Sequence, residues 1–432
     1  MSTRDGGGTS TPGGATPAEG GVETIAAWTP AEGAERAAAA FRARHGAEPA
    51  GVWSAPGRVN LIGEHTDYNG GLCLPLALPH RTYVAMGRSD DGLVRLTSAQ
   101  EGAAAAWELA YADVAPGAVE GWAGYAAGVA WALAQDGTGT GAFTGTVDSC
   151  VPYGAGLSSS AALECAVAVG LDELFDLGLA ATDEGRARLA AACIRAENEV
   201  VGAATGGMDQ TASLRARAGH ALLLDTRDGS TRHLPFDLGA HGLALLVIDT
   251  RAPHRLVDGQ YAARRAVCAA AADRLGVTTL REVAPDRLDD ALAALDADLT
   301  LPDGRVVAPA EQHARVRHVV TEIARVGAFV DLLAAGRVAE TGPLMDASHA
   351  SLRNDYEVSC AELDTAVETA RAAGALGARM TGGGFGGSAI ALVRAADVDA
   401  VSAAVAAAFA AHDLGAPAFL VAEPSAPAAR SA

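Results

Sequence analysis

The run Pro56-Gly57-Arg58-Val59-Asn60-Leu61-Ile62-Gly63-Glu64-His65-Thr66-Asp67-Tyr68-Asn69-Gly70-Gly71 gathers an arginine, two carboxylates, a histidine and a tyrosine into one short span. A strand can carry Arg58 inward beside Leu61 and Ile62, and the turn beyond lets Glu64, His65 and Asp67 converge. Such groups suit a small molecule rich in hydroxyls, whereas a plain turn would need the glycines and asparagine but not the charges. Further on, Val151-Pro152-Tyr153-Gly154-Ala155-Gly156-Leu157-Ser158-Ser159-Ser160-Ala161-Ala162-Leu163-Glu164 reads as an anion-binding loop. Gly154 and Gly156 free the backbone to aim N–H groups at a ligand, and the serines open an alanine-rich helix whose positive end favours phosphate. Ser158 to Ser160 also suit a helix N-cap.

The sequence contains no lysine, so all 32 of its Lys and Arg residues are arginine. Walker A loops and protein kinases both place a lysine on the nucleotide phosphates, and both are therefore disfavoured. Backbone dipoles, arginine and a metal ion must meet the charge instead. A third glycine-rich run, Gly377-Ala378-Arg379-Met380-Thr381-Gly382-Gly383-Gly384-Phe385-Gly386-Gly387-Ser388, formally contains G-x-G-x-x-G. A dinucleotide fold needs a helix after that pattern, yet a short apolar strand follows, so the glycines are expected to let the backbone pass close to a loop or ligand. Between these motifs, apolar periodicity over 186–201 predicts an amphipathic helix with Glu197 on its last turns, and Asp209 of Met208-Asp209-Gln210 on a loop beyond Gly206-Gly207.

The elements that must position these residues are mixed. The pattern predicts helices over 31–45 and 122–134, strands over 83–87 and 93–97, a helix from the serines to about 175, strands over 221–224 and 243–249, and mostly helices over 262–373. This is an α+β arrangement. The boundaries expected are a disordered tail at 1–22, an N-terminal domain over 23–238, a C-terminal domain over 239–425 and a flexible tail at 426–432. Trp122 and Tyr125, at i and i+3, read as one core face of a helix. The polar stretch 301–305 reads as a surface excursion.

With 432 residues, half of them hydrophobic, the chain can bury a large core. A net charge of −20 argues against nucleic acid and anionic membrane surfaces as partners. Six scattered cysteines without a C-x-x-C pair suggest neither zinc nor a disulfide framework. No signal peptide or apolar membrane span is apparent, so a cytoplasmic protein, a monomer or weak homo-oligomer, is expected.

The three glycine-bearing motifs, in this order and with Met-Asp-Gln between the last two, resemble those of the galactokinases of the GHMP kinase superfamily, which also holds homoserine, mevalonate and phosphomevalonate kinases. Thr66-Asp67-Tyr68-Asn69 resembles galactokinase more than N-acetylgalactosamine kinase, which typically has Ile and Cys at the positions of Thr66 and Asn69. Two departures stand out: Gly124 where many galactokinases have the Asn of Trp-x-Asn-Tyr, a run the resemblance would place near the nucleotide with Trp122 and Tyr125, and Ser388 where many have Cys, a change expected to matter little because both are small. The resemblance implies a two-domain GHMP kinase fold, with an N-terminal domain like ribosomal protein S5, a C-terminal domain of antiparallel sheet plus helices, and a site in the cleft. It implies ATP-dependent phosphorylation of the anomeric hydroxyl of α-D-galactose, the first committed step of galactose (Leloir) metabolism. Asp209 would be the base, with Arg58 beside it steadying charge. Arg58, Glu64, His65, Asp67, Gly206, Asp209 and Tyr261 would bind the sugar, Gly154, Ala155, Gly156, Leu157, Ser158, Ser159 and Ser160 the nucleotide, and Ser160 and Glu197 Mg2+. Two other readings stand beside it: a kinase of another sugar such as N-acetylgalactosamine or arabinose, and a galactose- and ATP-binding sensor without catalysis.

Overall fold

The computed structural model describes residues 22–100, 106–203, 205–252 and 257–432. The tail expected at 1–22 therefore lies, apart from Val22, outside the described residues. Strand Gly51–Asn60 is buried at every position and sits within a six-stranded sheet ordered Ala429–Arg430, Gly51–Asn60, Pro75–Arg88, Phe143–Ser149, Leu93–Ser98, Trp107–Ala110. Its pairings are antiparallel except that of Leu93–Ser98 with Phe143–Ser149. Helices Ala123–Gln135, Ser159–Leu174 and Asp183–Arg195 pack there through small residues such as Ala126, Ala130, Ala166 and Ala192, against Trp53, Met86 and Phe143. Trp122 and Tyr125 lie partly buried against the same core, as their spacing of three suggests.

A second, five-stranded sheet runs Glu23–Thr24, Ala418–Ala422, Leu243–Asp249, Ser388–Arg394, Gly377–Thr381. It is antiparallel but for the first pair. Helices Pro309–Ala334, Ala361–Ala372 and Val398–Ala411 accompany it, and Val316, Val367, Val401 and Phe409 fill the core beneath. A small sheet of Leu72–Cys73, His220–Asp225 and Ser230–Pro235 precedes the passage into the second sheet at Leu243. The α+β class follows directly. The polar stretch near residue 303 turns between the short paired strands Leu299–Thr300 and Val306–Val307.

Three local expectations are corrected. The amphipathic run over 186–201 is not one regular helix: Asp183–Arg195 is α-helical and Ala196–Val201 is a π-turn. Apolar periodicity cannot reveal one extra residue per turn, and such turns occur often at functional sites. A Cβ at Gly128 would stand 3.1 Å from the Ala196 side chain, so this glycine lets the neighbouring helix seat the π-turn. Asp209 lies not on a loop but in the first turn of helix Met208–Arg215, entered through Gly207 at φ +89°, where the positive helix end favours a carboxylate.

The third correction concerns residues 426–432. Ala429 and Arg430 pair with Ser54 and Trp53, and the buried Arg81 donates to the carbonyls of Ala426 (2.9 Å) and Pro427 (2.8 Å). Small, polar composition suggested a free end, but the open edge of strand Gly51–Asn60 captures it. Because Glu23–Thr24 joins the C-terminal sheet, each end of the described chain is stitched into the half remote from it in sequence. Removing residues 426–432 should leave Arg81 short of two acceptors and lower stability by about 3 kcal/mol, read by urea unfolding; an unchanged midpoint would refute the stitch.

Candidate active site

Arg58 reaches the site because strand Gly51–Asn60 is irregular there, its register shifting between Pro56 and Arg58. A Cβ on Gly57 would come within 2.6 Å of the Leu157 carbonyl oxygen, so only glycine lets the strand lie against the anion loop. The Arg58 N–H donates to that same carbonyl at 3.1 Å. The guanidinium then grips Asp209 with two bonds, Nε to Oδ1 at 2.8 Å and Nη2 to Oδ2 at 2.7 Å, while Nη1 donates to the Gly156 carbonyl at 2.7 Å. Ser158 Oγ donates to Asp209 Oδ2 as well. Burial works against the charge on Arg58, but Asp209, Glu64 and Asp67 around it raise its pKa and keep it protonated.

A cavity of about 160 Å³ opens beside this pair, lined among others by Glu64, His65, Asp67, Glu197 and Tyr261. Asp67 is pushed up to about 7, first by burial and then by the neighbouring charges of Asp209 and Glu64, although the Tyr68 N–H donates to its Oδ1 at 3.1 Å. A Cβ on Gly206 would stand 2.1 Å from Asp67 Oδ2, so this glycine makes room for the carboxylate. Glu64 is already well supplied with donors: Asn60 Nδ2 at 2.9 Å to Oε2, and the Gly382 N–H at 2.8 Å and Thr381 Oγ1 at 3.1 Å to Oε1. Arg379 Nη1 lies 3.4 Å away. Both ring nitrogens of His65 are engaged, with Tyr68 Oη at 2.9 Å and the Gly383 carbonyl at 3.2 Å. Tyr261 faces that ring, centroid to centroid 5.4 Å.

The anion loop turns through left-handed conformations at Gly154, Gly156 and Ser158 (φ +73°, +69° and +61°) into helix Ser159–Leu174. Ser158 occupies the cap position but makes no side-chain cap, since its hydroxyl is bonded to Asp209. The third glycine run packs onto this loop, where a Cβ at Gly382 would meet the Gly156 oxygen at 2.8 Å. Ser388 Oγ donates to the Ala155 carbonyl at 2.7 Å from a fully buried position, so its hydroxyl is a direct tie to the loop and more than a small filler. Glu197, on the π-turn, accepts from Gln210 Nε2 at 2.5 Å, and the same amide reaches Glu164 at 2.9 Å. Burial and Asp209 push the Glu197 carboxyl up to about 7, against bonds from Gln210 and Ser160. Among the described residues, no group of three His, Cys, Asp or Glu side chains is arranged to hold a metal unaided.

The residues missed in the sequence stand behind the sugar motif. Glu322, fully buried on helix Pro309–Ala334, accepts the Gly63 N–H at 3.0 Å, Ser348 Oγ at 2.6 Å and Arg325 Nε at 2.8 Å. Burial alone would raise its pKa, but Arg325, His318 and Arg379 hold it down to about 2. One helical turn earlier, His318 Nε2 donates to the Glu64 carbonyl at 3.1 Å. No motif marks these residues, and the only local signal is Arg325 at i+3 from Glu322.

Residues 124–217 match the GHMP kinases N terminal domain and 329–411 the GHMP kinases C terminal domain, so fold and site define a kinase of the GHMP class. A Methanococcus jannaschii mevalonate kinase structure has the same fold at 13% identity, with a TM-score of 0.56 over 87% of this chain and 98% of that one. The chain belongs to the galactokinase family: residues 39–88 match the galactokinase galactose-binding signature, and the galactokinase of Streptomyces coelicolor is 52% identical over 382 residues, 88% of this chain and 94% of that protein. The Lactococcus lactis galactokinase complexed with galactose superposes with a TM-score of 0.83 at 31% identity, over 91% of this chain and 98% of that one.

Replacing Glu322 by Ala would leave the buried Gly63 N–H and Ser348 hydroxyl without this acceptor and the partly buried Arg325 without its counter-charge. The expected cost is about 3–5 kcal/mol, measured by denaturant unfolding; a loss below about 1 kcal/mol would show that the helix does not hold the sugar motif.

Proposed function

We propose that the Arg58–Asp209 pair and the cavity beside it carry out ATP-dependent phosphorylation of the anomeric hydroxyl of α-D-galactose, giving galactose 1-phosphate and ADP, the entry step of galactose (Leloir) metabolism. Galactokinase activity follows from the family; the residue roles are this proposal. The observation that carries them is the two-bond clasp of Arg58 on Asp209 at the wall of a cavity whose other groups accept hydroxyl protons.

Asp209 receives two N–H bonds and the Ser158 hydroxyl, and a carboxylate so occupied orients the sugar hydroxyl at least as much as it abstracts its proton. As the anomeric oxygen bonds to the γ-phosphorus, the bond to the β,γ-bridging oxygen breaks and the hydroxyl proton passes to Asp209. Arg58 balances the negative charge on Asp209 and the transferring group. The N–H groups of residues 154–159, at the start of helix Ser159–Leu174, would cradle the nucleotide phosphates. Asp67, Glu64 and Tyr261 would bind the sugar, Asp67 with acceptor capacity for the axial hydroxyl that separates galactose from glucose.

Ser160 and Glu197 would hold Mg2+. Both offer the hard oxygen donors that ion prefers, and the Glu197 carboxyl stands at about 7 because burial and Asp209 outweigh Arg58 and the bonds from Gln210 and Ser160, so a cation beside it would offset negative charge. When bound, magnesium neutralises charge on the nucleotide phosphates. The six cysteines are free thiols, four of them buried, which supports a reducing, cytoplasmic setting. Among the described residues no helix is long and apolar enough to cross a membrane, and the only exposed large hydrophobic residues are Tyr153, Val306 and Val421. That surface supports a monomer or weak homo-oligomer.

ADP release with Mg-ATP across galactose, glucose, N-acetylgalactosamine, arabinose and mevalonate tests the reading; turnover is expected with galactose and its close analogues alone. Asp209→Asn should lower kcat by about 10²–10⁴-fold while calorimetry finds galactose binding within a few-fold of wild type, and wild-type turnover in that variant would remove Asp209 from the chemistry. Asp67 is charged above a pKa of about 7 and protonated below it, and the charged form is the better acceptor. The KM for galactose should therefore rise as pH falls from about 8 to about 6, by up to about tenfold per unit below the pKa, and Asp67→Asn should flatten that profile. A wild-type KM independent of pH over this range would contradict the assignment.

A further inference from the structure

The bonds at the two nitrogens of His65 have a direction. Nε2 faces the Gly383 carbonyl at 3.2 Å, and a carbonyl can only accept, so Nε2 carries the hydrogen. Burial, then His318, and at longer range Arg264 and Arg379, outweigh the Gly383 carbonyl and push the ring's pKa down to about 3, so it is neutral. Nδ1 is therefore a bare acceptor, and Tyr68 Oη, 2.9 Å away, donates to it. Having given its proton to His65, the Tyr68 oxygen accepts from Tyr356 Oη at 2.8 Å, and Tyr356 in turn accepts from the Cys268 thiol at 3.1 Å. One carbonyl thus sets the sense of every bond along a thiol, two phenols and an imidazole.

We propose that Tyr356 is a positioning residue of the sugar site: through Tyr68 it holds the His65 ring in the Nε2–H form, clasped to Gly383, so that the sugar meets His65 as a wall and not as a hydrogen-bonding group. This inference rests on the galactokinase reading of the cavity. Tyr356 is fully buried at the end of the π-turn Leu352–Tyr356, and Arg264 Nε fixes its carbonyl at 2.8 Å. Its ring packs, tilted, against those of His65 and His318, with centroids 4.8 Å and 4.4 Å away. Tyr261, which lines the cavity, leans on both His65 (5.4 Å) and Tyr68 (5.3 Å), so the relay also sets that ring. Tyr68 couples it to the charged side of the site, since its own N–H orients Asp67. Burial raises both phenols well above their usual range and pushes the thiol up to about 11. The relay is therefore a fixed strut at ordinary pH.

The tautomer can be read from long-range 1H–15N correlations of the full chain labelled at histidine, with His65→Gln identifying the signal. A neutral Nε2–H pattern that does not titrate between about pH 5.5 and about pH 8, with or without galactose, is expected. In Tyr356→Phe the KM for galactose should rise about 3- to 10-fold, the scale of one buried hydrogen bond, with kcat and the KM for ATP within about twofold of wild type. Cys268→Ser keeps a donor to Tyr356 and should retain the wild-type KM, whereas Cys268→Ala should raise it, so the outcome does not hang on one variant's folding. An Nδ1–H or titrating His65 ring, or an unchanged galactose KM in both Tyr356→Phe and Cys268→Ala, overturns the proposal. Failure of the unaltered chain to phosphorylate galactose would instead overturn the functional reading, leaving the ring's tautomer to decide the relay.

Discussion

One buried cation organises this site. Arg58 is 5% exposed and lies among Asp209, Glu64 and Asp67, three carboxyls that repel one another and that water cannot fully screen. Without Arg58, closing the cleft would leave Asp209 without its counter-charge, a cost of several kcal/mol. Its planar fork matches the carboxylate of Asp209 with two parallel bonds and still has Nη1 for the Gly156 carbonyl. A lysine, a single compact charge, could not tie the sugar side to the phosphate loop in this way.

The loops around Arg58 are held by closeness of backbone. Gly57 admits the Leu157 carbonyl, Gly382 admits that of Gly156, and Gly206 admits the Asp67 carboxylate; at each place a methyl group would force the pieces apart. Two π-turns, Ala196–Val201 and Leu352–Tyr356, deliver Glu197 and Tyr356. Each follows directly on an α-helix, and both side chains are buried.

Behind the cavity, charges alternate in sign from the N-terminal to the C-terminal half: Glu64 beside Arg379, then Glu322 beside Arg325. Glu322 and His318 hold the backbone of Gly63 and Glu64, so the sugar motif is braced by a helix of the other half. The crossing of both described ends between the sheets adds a second brace of the same kind. The shape of this motif is thus set by contacts between the halves as much as by its own strand and turn.

Much of this was legible in the residues themselves. The strand with Arg58, the helix after the serines and the close packing of the third glycine run were readable because periodicity, glycine and capping act over a few neighbouring positions. The family resemblance followed from the order of the motifs. The partners of those residues were not readable: Gly63 and Glu322 are 259 positions apart, Ser388 and Ala155 are 233 apart, and no local pattern records such a contact. The end near residue 430 looked free because its composition is small and polar, and only the unpaired edge of strand Gly51–Asn60 decided otherwise. The sequence by itself determined which chemical groups are present and which elements carry them, since propensity and pattern are local. Their charge states, the hydrogen position on His65 and the cavity beside Arg58 and Asp209 were decided by the tertiary structure, because burial and neighbouring charge exist only once distant segments have met.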